Sequence, residues 1–222
     1  MAHRSRAERV TSVAALDDPT SRAVYDYVSL ASAAVSRDAA AEALGVSRRI
    51  AAAHLDKLAD KGLLTVEFRR LHERAGPGAG RPAKLYRRAA DEVTVSVPDR
   101  RYDLVASLLA AAVTEAVGTG AEVGETVNRN AYDAGRAIAA ATPDLLEALL
   151  ETGYEPHRSD GGLLLSNCPF HRLARQYTDL VCGLNLHLLR GMTDDSPAAF
   201  RPVLDPAPGR CCVRLEGPGP VG

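Results

Sequence analysis

The chain has 222 residues, a formal net charge of −1 and a mean hydropathy of −0.12, with 46% hydrophobic and 25% charged residues. That composition excludes wholesale disorder, and no uninterrupted apolar run is long enough to span a bilayer. The opening stretch MAHRSRAERV has no apolar centre of the secretory kind, so the expected compartment is the cytoplasm, where four cysteines point to metal or redox chemistry rather than structural disulfides.

Residues 1–18 are polar and without a clear period, and are expected to form a flexible N-terminus. Pro19 introduces a predicted helix over Thr20–Ala31, with Val24, Tyr27, Val28 and Ala31 as its apolar stripe. Ser36 is a natural N-cap for a second helix, Arg37–Leu44, with Asp38 in its first turn. Gly45 ends that helix, Val46 fills the turn, and Ser47 caps a third helix that runs to Lys61 and stops at Gly62. Leu63–Arg70 reads as a strand with Leu64, Val66 and Phe68 on one face, residues 76–83 (GPGAGRPA) as a loop, and Lys84–Arg88 as the returning strand. Val93–Val97 is a candidate strand, and Pro98 closes the linker. Two helices, Tyr102–Val117 and Ala121–Ala141, are separated by Gly118 and Gly120, and a leucine-rich helix covers Pro143–Thr152. Tyr154–Arg158 and Gly162–Ser166 predict a hairpin around SDGG. The segment SNCPFHRLARQYTDLVCGLNLHLLRGM follows, then a Pro-rich loop, a final strand in GRCCVRLEG and a flexible GPGPVG tail.

The near-zero net charge conceals an asymmetry. Residues 1–90 carry 16 Lys+Arg against 10 Asp+Glu, whereas residues 91–222 carry 11 against 18 and hold all four cysteines. A basic half joined to an acidic one predicts a polyanion-binding module attached to a second function. The expected class is α+β, with a winged helix-turn-helix domain over 19–92, a helical linker and dimerisation region over 93–142, and a mixed α/β sensor domain over 143–222.

Helix, helix, tight turn, helix and hairpin make up the winged helix-turn-helix order. In the third helix Ala51, Leu55 and Leu58 recur at core-facing spacing, which leaves Arg48, Arg49, Ala52, Ala53 and Asp56 outward. The helix N-terminus is the end that enters the major groove in this architecture. The candidate DNA contacts are therefore Ser47, Arg48 and Arg49, with small Ala52 and Ala53 permitting close approach to base edges, and Arg69, Arg70, Arg81 and Lys84 on the hairpin. The phrase VSRRIAAAHLDKLADKGLL and the hairpin after it resemble the ArsR/MarR-like winged-helix domains of bacterial regulators over residues 19–89. That resemblance implies double-stranded operator DNA as partner and a homodimer on a palindromic site, with no membrane association.

Cys168 precedes Pro169, a common first helical position, and Thr178-Asp179 can cap a new helix, which would place Cys182 in a first turn. Both thiols would then lie near helix N-termini, where the dipole favours thiolate. In the final strand, alternation sets Cys211 with Val213 and Leu215, and Cys212 with Arg214. A winged helix followed by cysteines in CPFH, LVCGLNLHLL and GRCCVRL is similar to the SufR-type repressors. Their likeness implies an iron–sulfur cluster on Cys168, Cys182 and Cys211, although the gaps here are slightly longer and the doubled cysteine is a departure. His171 and Cys212 are the candidates for a fourth ligand, and zinc is the alternative metal. A regulator of the same class that senses a small organic ligand, with the cysteines structural, is the second reading. The sequence has no GxSxG, HExxH, Walker or CxxC motif, so no enzyme is expected.

Overall fold

Ser5 opens the chain's first helix, α1 (Arg6–Ala14), with a capping box: its side chain accepts from the Glu8 amide while the Glu8 carboxylate accepts from the Ser5 amide. The computed structural model describes residues 4–69, 82–196 and 199–217. α1 replaces the flexible N-terminus that the polar composition suggested. It is held by polar anchors rather than an apolar stripe: the Ser12 hydroxyl donates to Lys61 O at 2.8 Å, and Arg4 Nη2 donates to Gly62 O at 2.9 Å.

The chain forms two compact units, Met1–Val95 and Ser96–Gly222. In the first, α2 (Pro19–Leu30) starts on an Asp18 cap with proline in its first turn. A two-residue strand β1 (Val35–Ser36) leads into α3 (Arg37–Leu44), whose N-cap is Ser36. Gly45 ends α3 at φ +63°, a left-handed geometry that glycine adopts without penalty. Ser47 caps α4 (Arg48–Asp60), which buries Ala51, Leu55 and Leu58 as its spacing predicts. β2 (Leu64–Arg69) and β3 (Ala83–Arg88) pair antiparallel, with β1 on the far side of β3. Val24, Val28, Leu55, Leu58, Leu64 and Tyr86 fill the core. The expected single apolar face of β2 is buried only at Leu64; Phe68 is 68% exposed, because the hairpin runs past the helices that cover its base. Val93–Val97 forms no strand.

In the second unit, α5 (Tyr102–Thr119), α6 (Val123–Ala141) and α7 (Leu145–Glu151) precede the hairpin β4 (Pro156–Ser159) and β5 (Gly162–Leu165). A four-residue α8 (His171–Ala174) and a separate α9 (Thr178–Thr193) follow, then β6 (Arg201–Leu204), which the sequence left within a loop, and β7 (Val213–Glu216). The sheet is antiparallel in the order β4-β5-β7-β6. The expected linker helices and the cysteine-bearing segments share one core, in which Val105, Ala112 and Val127 lie with Leu165, Leu184, Cys168 and Cys211. α5 is by length and composition apolar enough to cross a membrane. It buries one face through Val105, Leu108, Ala112 and Ala116, and leaves Ala106, Ala110, Val113 and Val117 exposed.

α6 and α9 cross with backbones in contact. A Cβ on Gly135 would lie 2.0 Å from Leu188 O, and one on Gly191 would lie 2.0 Å from Tyr132 O. Neither obstacle can swing aside, because both are helix backbone. Gly191→Ala and Gly135→Ala are each expected to destabilise the second unit by about 2–3 kcal/mol, measured by urea unfolding; a loss below ~0.5 kcal/mol would show that the crossing yields.

Candidate metal centre and nucleic-acid interface

Three separate parts of the second unit bring four thiols together. Cys168 lies in the β5–α8 connection, Cys182 opens the second turn of α9, and Cys211 and Cys212 immediately precede β7. The expected final strand therefore starts two residues later than GRCC suggests, yet both cysteines are held in the ladder. Cys211 N donates to Leu165 O at 2.8 Å on one side, and Cys212 O accepts from Asp205 N at 2.8 Å on the other. Cys168, Cys182 and Cys211 are buried and Cys212 is partly so.

The ionisation of each thiol is shifted by a neighbouring one: Cys182 by Cys212, Cys212 by Cys211, and Cys211 and Cys168 by each other. The Cys211 S–H, with help from the Phe170 amide, holds Cys168 below the ordinary thiol range against its burial. Donation to Cys168 pushes Cys211 up to about 12, and burial pushes Cys182 up to about 12. Cys212 is raised further by donating to Cys211. The expected thiolate preference holds in direction at Cys168, where Cys211 and the amide of Phe170, the N-cap residue of α8, lower the thiol, and fails at Cys182. α8 begins at His171, three residues after Cys168, and Cys182 is past the first turn of α9, where burial outweighs the helix field. The helix break at Thr178 is present, so the long separation of a single straight helix does not arise.

Cys212, not His171, is the fourth member of this set. His171 is exposed at the start of α8, with its backbone amide on Cys168 O at 3.1 Å. Among the described residues no group of three or more His, Cys, Asp or Glu side chains is placed so that it could hold a metal ion. In composition alone the four thiols are the donor type that a thiolate-ligated metal takes, and a buried amide donor lies beside two of them. That donor is Asn185, one turn after Cys182. Its Nδ2 donates to Cys211 Sγ at 3.2 Å and approaches Cys212 Sγ at 4.0 Å, and its Oδ1 accepts the Tyr154 hydroxyl. Sequence reasoning missed it; the available signal was a lone asparagine in the apolar run LVCGLNLHLL.

The Cys168 loop is tied to the start of the unit. Asn167 Nδ2 donates to Asp99 O at 2.8 Å and Gly153 O at 2.7 Å, the Arg100 guanidinium donates to Asn167 Oδ1, and Arg101 N donates to Pro169 O at 3.1 Å.

In the first unit, Ser47, Arg48, Arg49 and Ala53 are exposed on α4, Ala52 is half-buried, and Arg69 is exposed at the end of β2. Arg70, Arg81 and the loop tip lie outside the described residues, as does the tail from 218. Two expectations change. Arg48 Nε is paired with Asp38 Oδ1 at 2.5 Å. Lys84 is not free: its Nζ lies 2.5 Å from Asp56 Oδ1. Nor does Asp56 simply face outward, for it also accepts Tyr86 OH and Arg37 Nη2, each at 2.6 Å. His54 Nδ1 and Ser21 Oγ share a hydrogen bond at 2.9 Å.

Burial opposes ionisation of Asp56, but hydrogen bonds from Lys84, Tyr86 and Arg37 outweigh it and hold the carboxyl at about 2, below its usual 3.8. A folded-state value below the unfolded one stabilises the fold fully above the unfolded value, and the contribution is lost as pH falls through the folded one. The melting temperature of the first unit is therefore expected to drop between pH 3.8 and pH 2. Asp56→Asn should flatten that part of the profile; a variant with the wild-type acid profile would refute it.

No family model, curated protein or solved structure matches the chain.

Proposed function

We propose that the chain is a homodimeric DNA-binding transcriptional regulator, acting as a repressor, whose cysteine set holds an iron–sulfur cluster and reports iron–sulfur or redox status. The observation that carries the sensor half is that cysteines from three separate segments are neighbours: each thiol shifts the ionisation of another, and Asn185 Nδ2, one turn after Cys182, lies 3.2 Å from Cys211 Sγ and 4.0 Å from Cys212 Sγ. Isolated core cysteines have no need to converge. Cys168, Cys182, Cys211 and Cys212 would be the ligands, and a cluster there would supply a redox-sensitive and oxygen-labile bond set.

For the DNA-binding half, the reading is a winged helix-turn-helix in which α4 is the recognition helix and β2–β3 the wing. The exposed α4 N-terminus with Arg49, and the Gly45 turn between α3 and α4, support it. The Asp56 cluster ties α3, α4 and β3 together, so helix and wing would meet DNA as one piece. For the dimer, the support is the exposed apolar stripe Ala106, Ala110, Val113 and Val117 on α5. Coupling would run through the Cys168 loop, because Asn167 and Arg100 join it to residues that directly follow the Val95–Ser96 division. A single zinc ion on the same thiols is the second reading; it is favoured by the all-sulfur character of the set, the donor type of closed four-coordinate zinc sites.

Anaerobic purification with iron, sulfide and zinc assays separates these. Brown protein with iron and acid-labile sulfide is expected, and Cys168→Ser, Cys182→Ser and Cys211→Ser should each abolish the visible absorbance and change affinity for a duplex selected by the wild type from a random pool. Colourless protein with one zinc per chain selects the second reading. Unchanged spectrum and affinity in all the variants would sink both.

On the DNA side, Arg49→Ala is expected to weaken duplex binding by about 1–3 kcal/mol and to reduce the salt slope by about 1. Arg48→Ala should do less, because Asp38 already shares that charge. Wild-type affinity in Arg49→Ala would remove α4 from the interface.

A further inference from the structure

α9 is buried on almost every side, and one amide stands in its middle. Asn185 has no solvent exposure, and Leu184, Leu186, Leu188 and Leu189 around it are buried as well. Leucine would suit that position by size and surroundings. A carboxamide there is disfavoured unless all its polar atoms are paired. Its pairing is specific: Nδ2 donates to Cys211 Sγ at 3.2 Å and reaches towards Cys212 Sγ at 4.0 Å, while Oδ1 takes the hydroxyl of Tyr154. Tyr154 is itself only 1% exposed and packs edge-on against Phe170, with ring centroids 6.4 Å apart. An amide ends in one acceptor and two N–H donors. With Tyr154 occupying the acceptor, only the donor end faces the sulfurs, which is the orientation that thiolate ligands require.

We propose that Asn185 is the positioning residue of the thiolate site: its amide donates to Cys211 and screens the adjoining Cys212 sulfur, and Tyr154 locks the amide in that orientation. The proposal rests on reading the cysteines as a ligand set. Hydrogen bonds from outside the ligand shell fix ligand orientation and withdraw electron density from sulfur, and so tune whatever metal the sulfurs hold.

The test uses cobalt(II) alone, added to the reduced, metal-free full-length chain, with the sulfur-to-cobalt absorption band as readout. Removing an N–H donor raises the sulfur lone pairs in energy, so Asn185→Leu is expected to keep a sulfur–cobalt band and move it to longer wavelength. Tyr154→Phe, which frees the amide without deleting it, should move it the same way by less. A band at the wild-type wavelength in both variants overturns the proposal while leaving the ligand reading intact. If circular dichroism shows that Asn185→Leu does not fold, Tyr154→Phe decides alone: a shift supports the proposal and no shift overturns it. A wild-type chain with no sulfur–cobalt band overturns the ligand reading itself and the role of Asn185 with it, a result distinguishable because it needs no variant.

Discussion

A primary amide sealed inside an apolar helix must find partners for every polar atom, and the second unit is arranged around that requirement at Asn185. One end of the amide is answered by Tyr154 and the other by sulfur. To bring these groups within reach, the α7–β4 turn must present the tyrosine, α9 must turn the asparagine inward, and β7 must begin beside β5 so that Cys211 can donate its amide to Leu165. The close glycine crossing of α6 and α9 then sets the depth at which α9 lies. Packing, sheet register and thiol placement are thus one constraint rather than three.

The first unit solves a different problem, that of a hairpin heavily loaded with positive charge. Left to repel one another, Lys84 and Arg37 would push β3 from the helices. Asp56 gathers both, along with the Tyr86 hydroxyl, at the junction of α3, α4 and β3, and both cations also lie over the Tyr86 ring, at 5.4 and 6.0 Å. The cations nearest the helices therefore stabilise the fold, whereas Arg49, Arg69 and Arg88 remain exposed. Basic residues of the same unit thus divide into paired and exposed ones, and only their partners tell which.

That distinction marks what the sequence could disclose. Local signals were legible: the Ser36 and Ser47 caps, the Gly45 turn, the core spacing of α4 and the break before Thr178 are each written within a few residues. α1 was not read, because its capping box opens a helix held by Ser12 and Arg4 on carbonyls some 50–60 residues away rather than by an apolar stripe. The pairing of Lys84 was not legible because its partner Asp56 lies 28 positions back. Cys211 and Cys212 were set on opposite faces because strict alternation was extended into residues that precede β7. His171 was near Cys168 along the chain but exposed outside the thiol set. In each case the deciding partner is remote in sequence, and periodicity carries no information about it.

The same remoteness gives the cysteine set its leverage. A ligand pair on one helix would constrain one turn of backbone and nothing else. Here the sulfurs belong to a connection, a helix and a strand end, so anything that binds all of them must hold three segments in fixed relation, and its loss frees them together. The connection is the most consequential of the three. Asn167, next to Cys168, is bonded to Asp99 and Arg100, and Pro169 accepts from Arg101, so the conformation of this loop and that of residues 99–101 are joined by hydrogen bonds. Those residues are the chain's route from the second unit to the first. A change at Cys168 would therefore reach residues 99–101 through these hydrogen bonds, whereas a change confined to Cys182 would have to act through the buried body of α9.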